Sequence, residues 1–271
     1  MSFVLRAISV HHASATRSDS FHALIDVNLS IKQGEQVALI GPSGAGKTTL
    51  LHTLACAHRP ESGGEFSIFG LQPWAMQHAE RHALRARLFL APQIPPLPPR
   101  QRVVTAVLAG CLPQWSFWQA ITSLIKPREP DAAYDALARF NLQDKLYARV
   151  DRLSEGERQR CGMARLLVSQ ADAFLVDEPL SALDPTLALQ TLAVVQQEAA
   201  SRNATLVCSL HQVELALGHF PRIVGLSDGR LVFDAPRREV TEKMLAALYQ
   251  NVKHTEPISP EDAHWSVPSS C

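Results

Sequence analysis

The stretch from Gly41 to Thr48 constrains this chain more than any other, because an apolar run of one period precedes it and one of another period follows. Gln36 to Ile40 is compact and apolar, as a buried strand is, whereas Leu50 to Ala55 has helical spacing. The order is therefore strand, glycine-rich turn, helix. Gly41, Pro42, Ser43, Gly44, Ala45, Gly46, Lys47 and Thr48 fit the phosphate-binding pattern GxxxxGK(S/T). Glycines let consecutive backbone N–H groups turn toward one anionic oxygen cluster without side chains in the way. A helix starting near Lys47 adds the positive end of its dipole, and Thr49 falls in the same first turn. Lys47 has the reach for β- and γ-phosphates, and the Thr48 hydroxyl can ligate Mg²⁺. A glycine-rich turn that matches by accident would lack the flanking strand and helix.

A second apolar run, Ala173 to Val176, ends in the acidic pair Asp177 and Glu178. A carboxylate at the end of a buried parallel strand sits beside a phosphate loop, where Asp177 can hold Mg²⁺ through water. Glu178, one residue on, can accept a proton from an attacking water. Alone, such a pair often marks only a helix start; the phosphate loop upstream favours the nucleotide reading. The segment Leu153 to Arg160 is open to two readings of the same kind. Ser154 and Glu157 have capping-box spacing, yet a Ser hydroxyl, Gly156 and bare N–H groups at a helix N-terminus also make an anion site.

A third run, Ala204 to Leu210, ends at His211, and helical stretches such as Leu187 to Ala200 separate these strands. Repeated strand–helix units predict a parallel sheet. Phe3–Val10 and Ile25–Ile31 read as strands, and the runs flanking Asp228-Gly229 as a hairpin with a tight turn. Residues from about 94 to 165 change character: prolines crowd Pro92 to Pro99, and a mostly helical stretch follows. Tyr134, Leu137, Ala138, Phe140 and Leu142 are expected to line one buried helical face. From residue 251 the composition predicts a weakly ordered tail. Of the 271 residues, 46% are hydrophobic, enough for a sizeable core, and 26 basic residues balance 26 acidic ones. That balance argues against a generally basic nucleic-acid binder. The cysteines are scattered without CxxC spacing, so neither a disulfide framework nor a zinc knuckle is expected. Met1 to Val10 does not read as a secretory signal, and no run approaches the ~20 apolar residues of a membrane span.

Taken in order, the phosphate loop, Gln93, the Leu-Ser-x-Gly segment, the Asp-Glu strand end, Ser181-Ala-Leu-Asp184 and His211 resemble the ATPase subunit of ABC transporters, over about Val4 to Val252. The resemblance implies a P-loop NTPase fold: a RecA-like α/β core with a parallel sheet, N-terminal antiparallel β elements, and a helical subdomain inserted at about 94–165 of one ATPase domain, 1–250. It also implies roles. Gln93 would sense Mg²⁺ and the attacking water. Ser154, Glu155, Gly156 and Glu157 would contact the γ-phosphate of ATP held by a second copy of the chain, and Asp184 would communicate across that interface. His211 would contact the γ-phosphate within its own chain. The implied partners are that second copy, an integral membrane permease and, indirectly, an extracytoplasmic solute-binding protein, with the chain peripheral on the cytoplasmic face of the membrane and no nucleic acid involved.

Val107 to Gly110, the aromatic stretch Trp115 to Trp118, Leu210 to Glu214, Arg222 to Asp234 and Ala247 to Tyr249 further resemble the branch that imports phosphonate, phosphite or hypophosphite-type oxyanions. Departures accompany the likeness. Glu155 stands where the signature usually has Gly, and Glu157 where it has Gln; a carboxylate near a γ-phosphate must point away or be paired, with Arg158 the neighbouring cation. The adenine-stacking aromatic should fall near His11 or His12, and His12 is the candidate. The proline run replaces a more ordinary loop and can stiffen the joint to the helical subdomain; its PxxP spacing also fits an SH3-type ligand. His78 and His82 have the i, i+4 spacing of metal ligands but read as an exposed helix face. Trp115, Phe117 and Trp118 either pack the helical part or meet a membrane partner. The competing function is a non-transport ABC ATPase in a soluble assembly, for example in phosphonate metabolism; an inactive binding module is a third.

Overall fold

The computed structural model describes residues 1–11, 22–125 and 128–250. Strands β1 (Phe3–His11) and β2 (His22–Ile31) pair antiparallel, with Phe3 opposite Ile31 and His11 opposite His22. After β3 (Gln36–Ile40) and helix α1 (Lys47–Leu54), β4 (Glu65–Ile68) adds to the other edge of β1. The result is a three-stranded antiparallel sheet, β2-β1-β4. Helix α2 (His78–Arg85) then leads into β5 (Leu88–Ala91). Helices α3 (Val103–Leu108), α4 (Phe117–Ile125), α5 (Pro130–Ala138) and α6 (Glu155–Val168) follow without an intervening strand. The chain closes with β6 (Ala173–Asp177), α7 (Pro185–Ser201), β7 (Thr205–Ser209), α8 (Val213–His219), β8 (Arg222–Ser227), β9 (Arg230–Pro236) and α9 (Glu242–Tyr249).

The second sheet has six strands in the order β5-β6-β7-β3-β8-β9, parallel throughout except for β9. Its central strands β6 and β7 are buried at every position because both faces are covered. Alternate residues separate the two cores. Ala38, Ile40, Phe174, Val176, Leu206 and Cys208 face helices α3, α5, α6 and α7, while Val37, Leu39, Leu175, Val207 and Val224 face α1 and the antiparallel sheet. The expected strands and the parallel sheet are thus present. So is the hairpin: Ser227 pairs with Arg230 across Asp228 (φ +48°) and Gly229 (φ +72°), the left-handed pair that a two-residue turn requires. That turn does more than reverse the chain. The Gly229 N–H donates to the Ala45 carbonyl at 3.1 Å and the Gly229 carbonyl accepts from Ile25 N–H at 2.8 Å, so it touches both the β3–α1 loop and β2.

The expected helical face around residue 134 is corrected. Ala133, Ala136, Leu137 and Phe140 are buried, whereas Tyr134 is 46% exposed and Ala138 only half-buried. The buried set follows i, i+3, i+4, i+7, and Tyr134 lies one residue, or about 100° of helical turn, out of that phase. The proline run is fastened to its surroundings. Pro95 packs so closely on Gly162 that a Cβ there would lie 2.7 Å from Pro95 Cγ. Arg165 Nη1 donates to the Pro96 carbonyl at 3.2 Å, and Asp151 N–H to that of Pro99 at 2.9 Å. The aromatic stretch divides: Trp115 packs against the helical core, Trp118 is exposed, and the Phe117 side chain lies outside the described residues. His78 and His82 are exposed on α2. Cys56, Cys111, Cys161 and Cys208 are free thiols, and burial raises Cys56 to about 11 and Cys161 to about 12. Cys271 and the tail 251–271 lie outside the described residues, among which no helix is long and apolar enough to cross a membrane.

The corrected helix phase has a direct check. Leu137→Ala opens a cavity in the helical core and should cost about 2–5 kcal/mol in urea unfolding. Tyr134→Ala removes an exposed ring and should stay within about 0.5 kcal/mol.

Candidate nucleotide site

The loop between β3 and α1 takes its shape from glycines that cannot be replaced. At Gly41 (φ +151°) a Cβ would sit 1.9 Å from the Leu226 carbonyl oxygen, and at Gly46 (φ +102°) 2.6 Å from that of Ala23. Gly46 occupies the N-cap of α1, no side chain caps the helix, and its first turn holds no acidic residue. Its leading N–H groups are therefore left to an outside acceptor, the arrangement that binds phosphate. Ser43, Gly44, Ala45, Gly46, Lys47, Thr48 and Thr49 line one open cleft together with Gln93, Glu178 and His211. Pro42 contributes its carbonyl: Lys47 Nζ donates to Pro42 O at 3.0 Å and to Gly41 O at 2.8 Å. Burial pushes the Lys47 ammonium below the usual lysine range, while the carboxylates of Glu178 and Asp177 pull it back up.

The cleft lies beyond the carboxyl ends of the parallel strands, where ligands of open α/β sheets bind. Asp177, the last residue of β6, is buried and holds two hydroxyls: Thr48 Oγ1 donates to Oδ2 at 2.8 Å and Ser209 Oγ to Oδ1 at 2.6 Å. Ser209 ends β7 directly opposite Asp177, and its oxygen also accepts the Glu178 N–H at 2.9 Å. Glu178 then leaves the strand with φ +48°, a left-handed conformation that costs a non-glycine residue energy and directs it into the cleft. There its Oε1 lies 2.6 Å from His211 Nε2. Gln93, exposed just past β5, completes the wall. A hydroxyl and a carboxylate converging at Thr48 and Asp177 form the hard oxygen donor set that suits Mg²⁺.

Among the described residues, the cleft walls include neither Ser154, Glu155, Gly156, Glu157 nor Asp184. Ser154 and Glu157 instead form a reciprocal capping box: Glu157 N–H donates to Ser154 Oγ at 3.2 Å, and Ser154 N–H to Glu157 Oε2 at 2.8 Å. Glu155 is exposed, and Arg158 does not pair with it; Arg158 donates to the carbonyls of Val150 and Asp151, because its side chain runs back along the helix. Asp184 Oδ1 accepts from Thr186 N–H and Leu187 N–H, both at 3.0 Å, and so caps α7. His12 lies outside the described residues.

Two polar residues that the sequence reading passed over bind this region together. One is Ser209, a hydroxyl closing an otherwise apolar strand. The other is Gln159 of α6, buried on the face it shares with Met163 one turn on. Its Nε2 donates to the Glu178 carbonyl at 3.0 Å and to Ser181 Oγ at 3.2 Å, and its Oε1 accepts from Ala182 N–H at 3.0 Å. A buried amide with every group used is a joint between α6 and the segment after Glu178. At the far end of the chain, Tyr249 of α9 meets the start of the phosphate loop: burial and Glu214 raise its hydroxyl, and the Gly41 backbone acts in the opposite direction.

Residues 24–181 match the ABC transporter family. The chain belongs to that family. Relatives of this ABC protein include the phosphonates import ATP-binding protein PhnC of Polaromonas sp. JS666, 53% identical over 270 residues, spanning 100% of this chain and 96% of the relative. The corresponding PhnC 2 of Albidiferax ferrireducens is 56% identical over 94% of this chain and 91% of its own. PhnC 1 of Pseudomonas aeruginosa PAO1 is 52% identical over 93% and 92%. Among solved structures, the dimeric bacterial ABC transporter cassette MJ0796 superposes with a TM-score of 0.74 at 24% identity, covering 88% of this chain and 100% of that one. At that identity the likeness concerns the fold.

The two overlooked residues give the test of the joint. Ser209→Ala strands one buried carboxylate oxygen and one N–H, and should lower stability by about 1–3 kcal/mol in thermal or urea unfolding. Gln159→Leu, similar in size but without hydrogen bonds, should cost about the same, because Ala182 N–H and the Glu178 carbonyl lose their partner.

Proposed function

We propose that this chain is the ATP-hydrolysing subunit of an ABC importer that takes up phosphonate or a related phosphorus oxyanion through a separate permease. The observation that carries the chemistry is the Glu178–His211 contact at the mouth of the phosphate loop, beside a Thr48–Asp177 pair. The substrate class rests on full-length relatives that carry the phosphonates import ATP-binding name.

In this reading the N–H groups from Ser43 to Thr49 and the Lys47 ammonium bind the β- and γ-phosphates of ATP. Thr48 and Asp177 hold Mg²⁺, which when bound neutralises charge on the phosphate oxygens. Gln93 orients the attacking water, and Glu178 takes its proton as the water oxygen bonds to γ-phosphorus and the bond to ADP breaks. His211, which stands against the Glu178 carboxylate, contacts the γ-phosphate. Ser154, Glu155, Gly156 and Glu157 complete the site of a second copy, with Asp184 at the same interface, so two ATP molecules are enclosed by two chains; His12 lies toward the adenine. The capping box bears on this arrangement, because it commits the Glu157 carboxylate to Ser154 N–H and so pairs that charge within its own chain. Residues 1–250 act as one ATPase unit, and the helices within 94–165 form its arm toward the permease, which receives substrate from an extracytoplasmic binding protein. The chain then works as a peripheral protein on the cytoplasmic face of the membrane.

Glu178→Gln should keep ATP affinity within about threefold while turnover falls at least about 100-fold. With ATP and Mg²⁺ the variant should elute as a dimer in size-exclusion chromatography. Wild-type turnover in the variant would remove Glu178 as the base, and a complex recovered from cells without a membrane permease would remove the transport role.

A further inference from the structure

A cluster on the antiparallel sheet, made of residues that do not line the nucleotide cleft, has the composition of a metal site. His11 ends β1 and His22 begins β2, and the two are register partners across the pair. Their rings lie 4.5 Å apart between centroids. Glu61 comes from the segment between α1 and β4, where its N–H donates to the Ser9 carbonyl at 2.9 Å, and this fixes its backbone two residues before His11. Glu61 Oε1 then stands 3.1 Å from His11 Nε2 and 3.2 Å from His22 Nε2.

Hydrogen bonding does not account for these contacts. Glu61 Oε1 is shut off from solvent and makes no hydrogen bond, although two imidazole nitrogens crowd it. One ligand atom from each of the three residues falls within 4.8 Å of the others. Ligands about 2.0–2.1 Å from a tetrahedral ion are separated by about 3.3 Å, close to the two histidine–carboxylate separations of 3.1 and 3.2 Å. Three converging donors, with one oxygen left unsatisfied, are what a cation satisfies.

We propose that His11, His22 and Glu61 bind one divalent first-row transition ion, Zn²⁺ foremost. Two imidazoles and one carboxylate form a His₂Glu set that leaves a fourth, solvent-facing position for water. Two nitrogen donors disfavour Mg²⁺ and Ca²⁺, which prefer oxygen. The ion staples the end of β1, the start of β2 and the α1–β4 segment. Its three ligands are distinct from the groups assigned to phosphate binding and hydrolysis, although His11 adjoins His12, which the proposed function places toward the adenine; Zn²⁺ binding measured without nucleotide therefore tests the site separately from that reading.

The test uses the full chain without an affinity tag. Zn²⁺ alone, titrated calorimetrically, should bind with one ion per chain and raise Tm by about 5 °C at a hundredfold excess over Kd. Mg²⁺ at the same concentration should not. Glu61→Gln and His22→Ala should each weaken Zn²⁺ binding at least tenfold, while His82→Ala leaves it unchanged. Co²⁺ should give tetrahedral visible bands without thiolate charge transfer. Far-UV circular dichroism and Tm in EDTA confirm that the variants fold, and His22→Ala carries the test if Glu61→Gln does not. Absence of stoichiometric binding to the wild type, undiminished binding in the folded variants, or a thiolate band would overturn the site.

Discussion

The carboxylate of Asp177 is where three separate pieces of chain become one site. It takes the Thr48 hydroxyl from the phosphate loop on one oxygen and the Ser209 hydroxyl from β7 on the other. Ser209 in turn fixes the backbone of Glu178. The spacing of the loop from the acidic strand end and of Glu178 from His211 thus depends on one buried side chain. Burying a carboxylate is costly unless its oxygens are satisfied, and here two hydroxyls satisfy them. The same oxygens are those a hard cation would take, so the structural bond and the functional one draw on a single set of donors.

Most of the architecture was legible in the sequence because its signals were strong and local. The largely apolar runs at 36–40, 173–176 and 204–210 read as strands buried on both faces, and the Asp228-Gly229 pair specified its turn. The helix phase around Tyr134 was not legible in the same way. A short helix offers few turns over which to fix a phase, and a tyrosine adjacent to buried positions reads as buried.

The site divides similarly. The phosphate loop, Glu178, Gln93 and His211 meet in one cleft, with Asp177 buried behind Thr48, and their residue types are what singled them out in the sequence. Ser209 and Gln159 stayed hidden because serine and glutamine carry no functional signal by composition; only strand register and burial reveal what they hold. Asp184, Ser154 and Glu157 cap their own helices within this chain. The spacing of Ser154 and Glu157 had always allowed that reading. The metal-ligand cluster was invisible along the sequence for a related reason: His11 and Glu61 are neighbours only through strand pairing and a loop bond. The visible i, i+4 histidine pair proved to be merely exposed.

The hairpin turn at Asp228-Gly229 has a mechanical meaning. By bonding to Ala45 and to Ile25 it bolts the phosphate loop to both sheets. The loop, the antiparallel sheet and the end of β8 are therefore tied through one two-residue turn, so lengthening that turn would loosen the phosphate cradle from a point far away in the sequence.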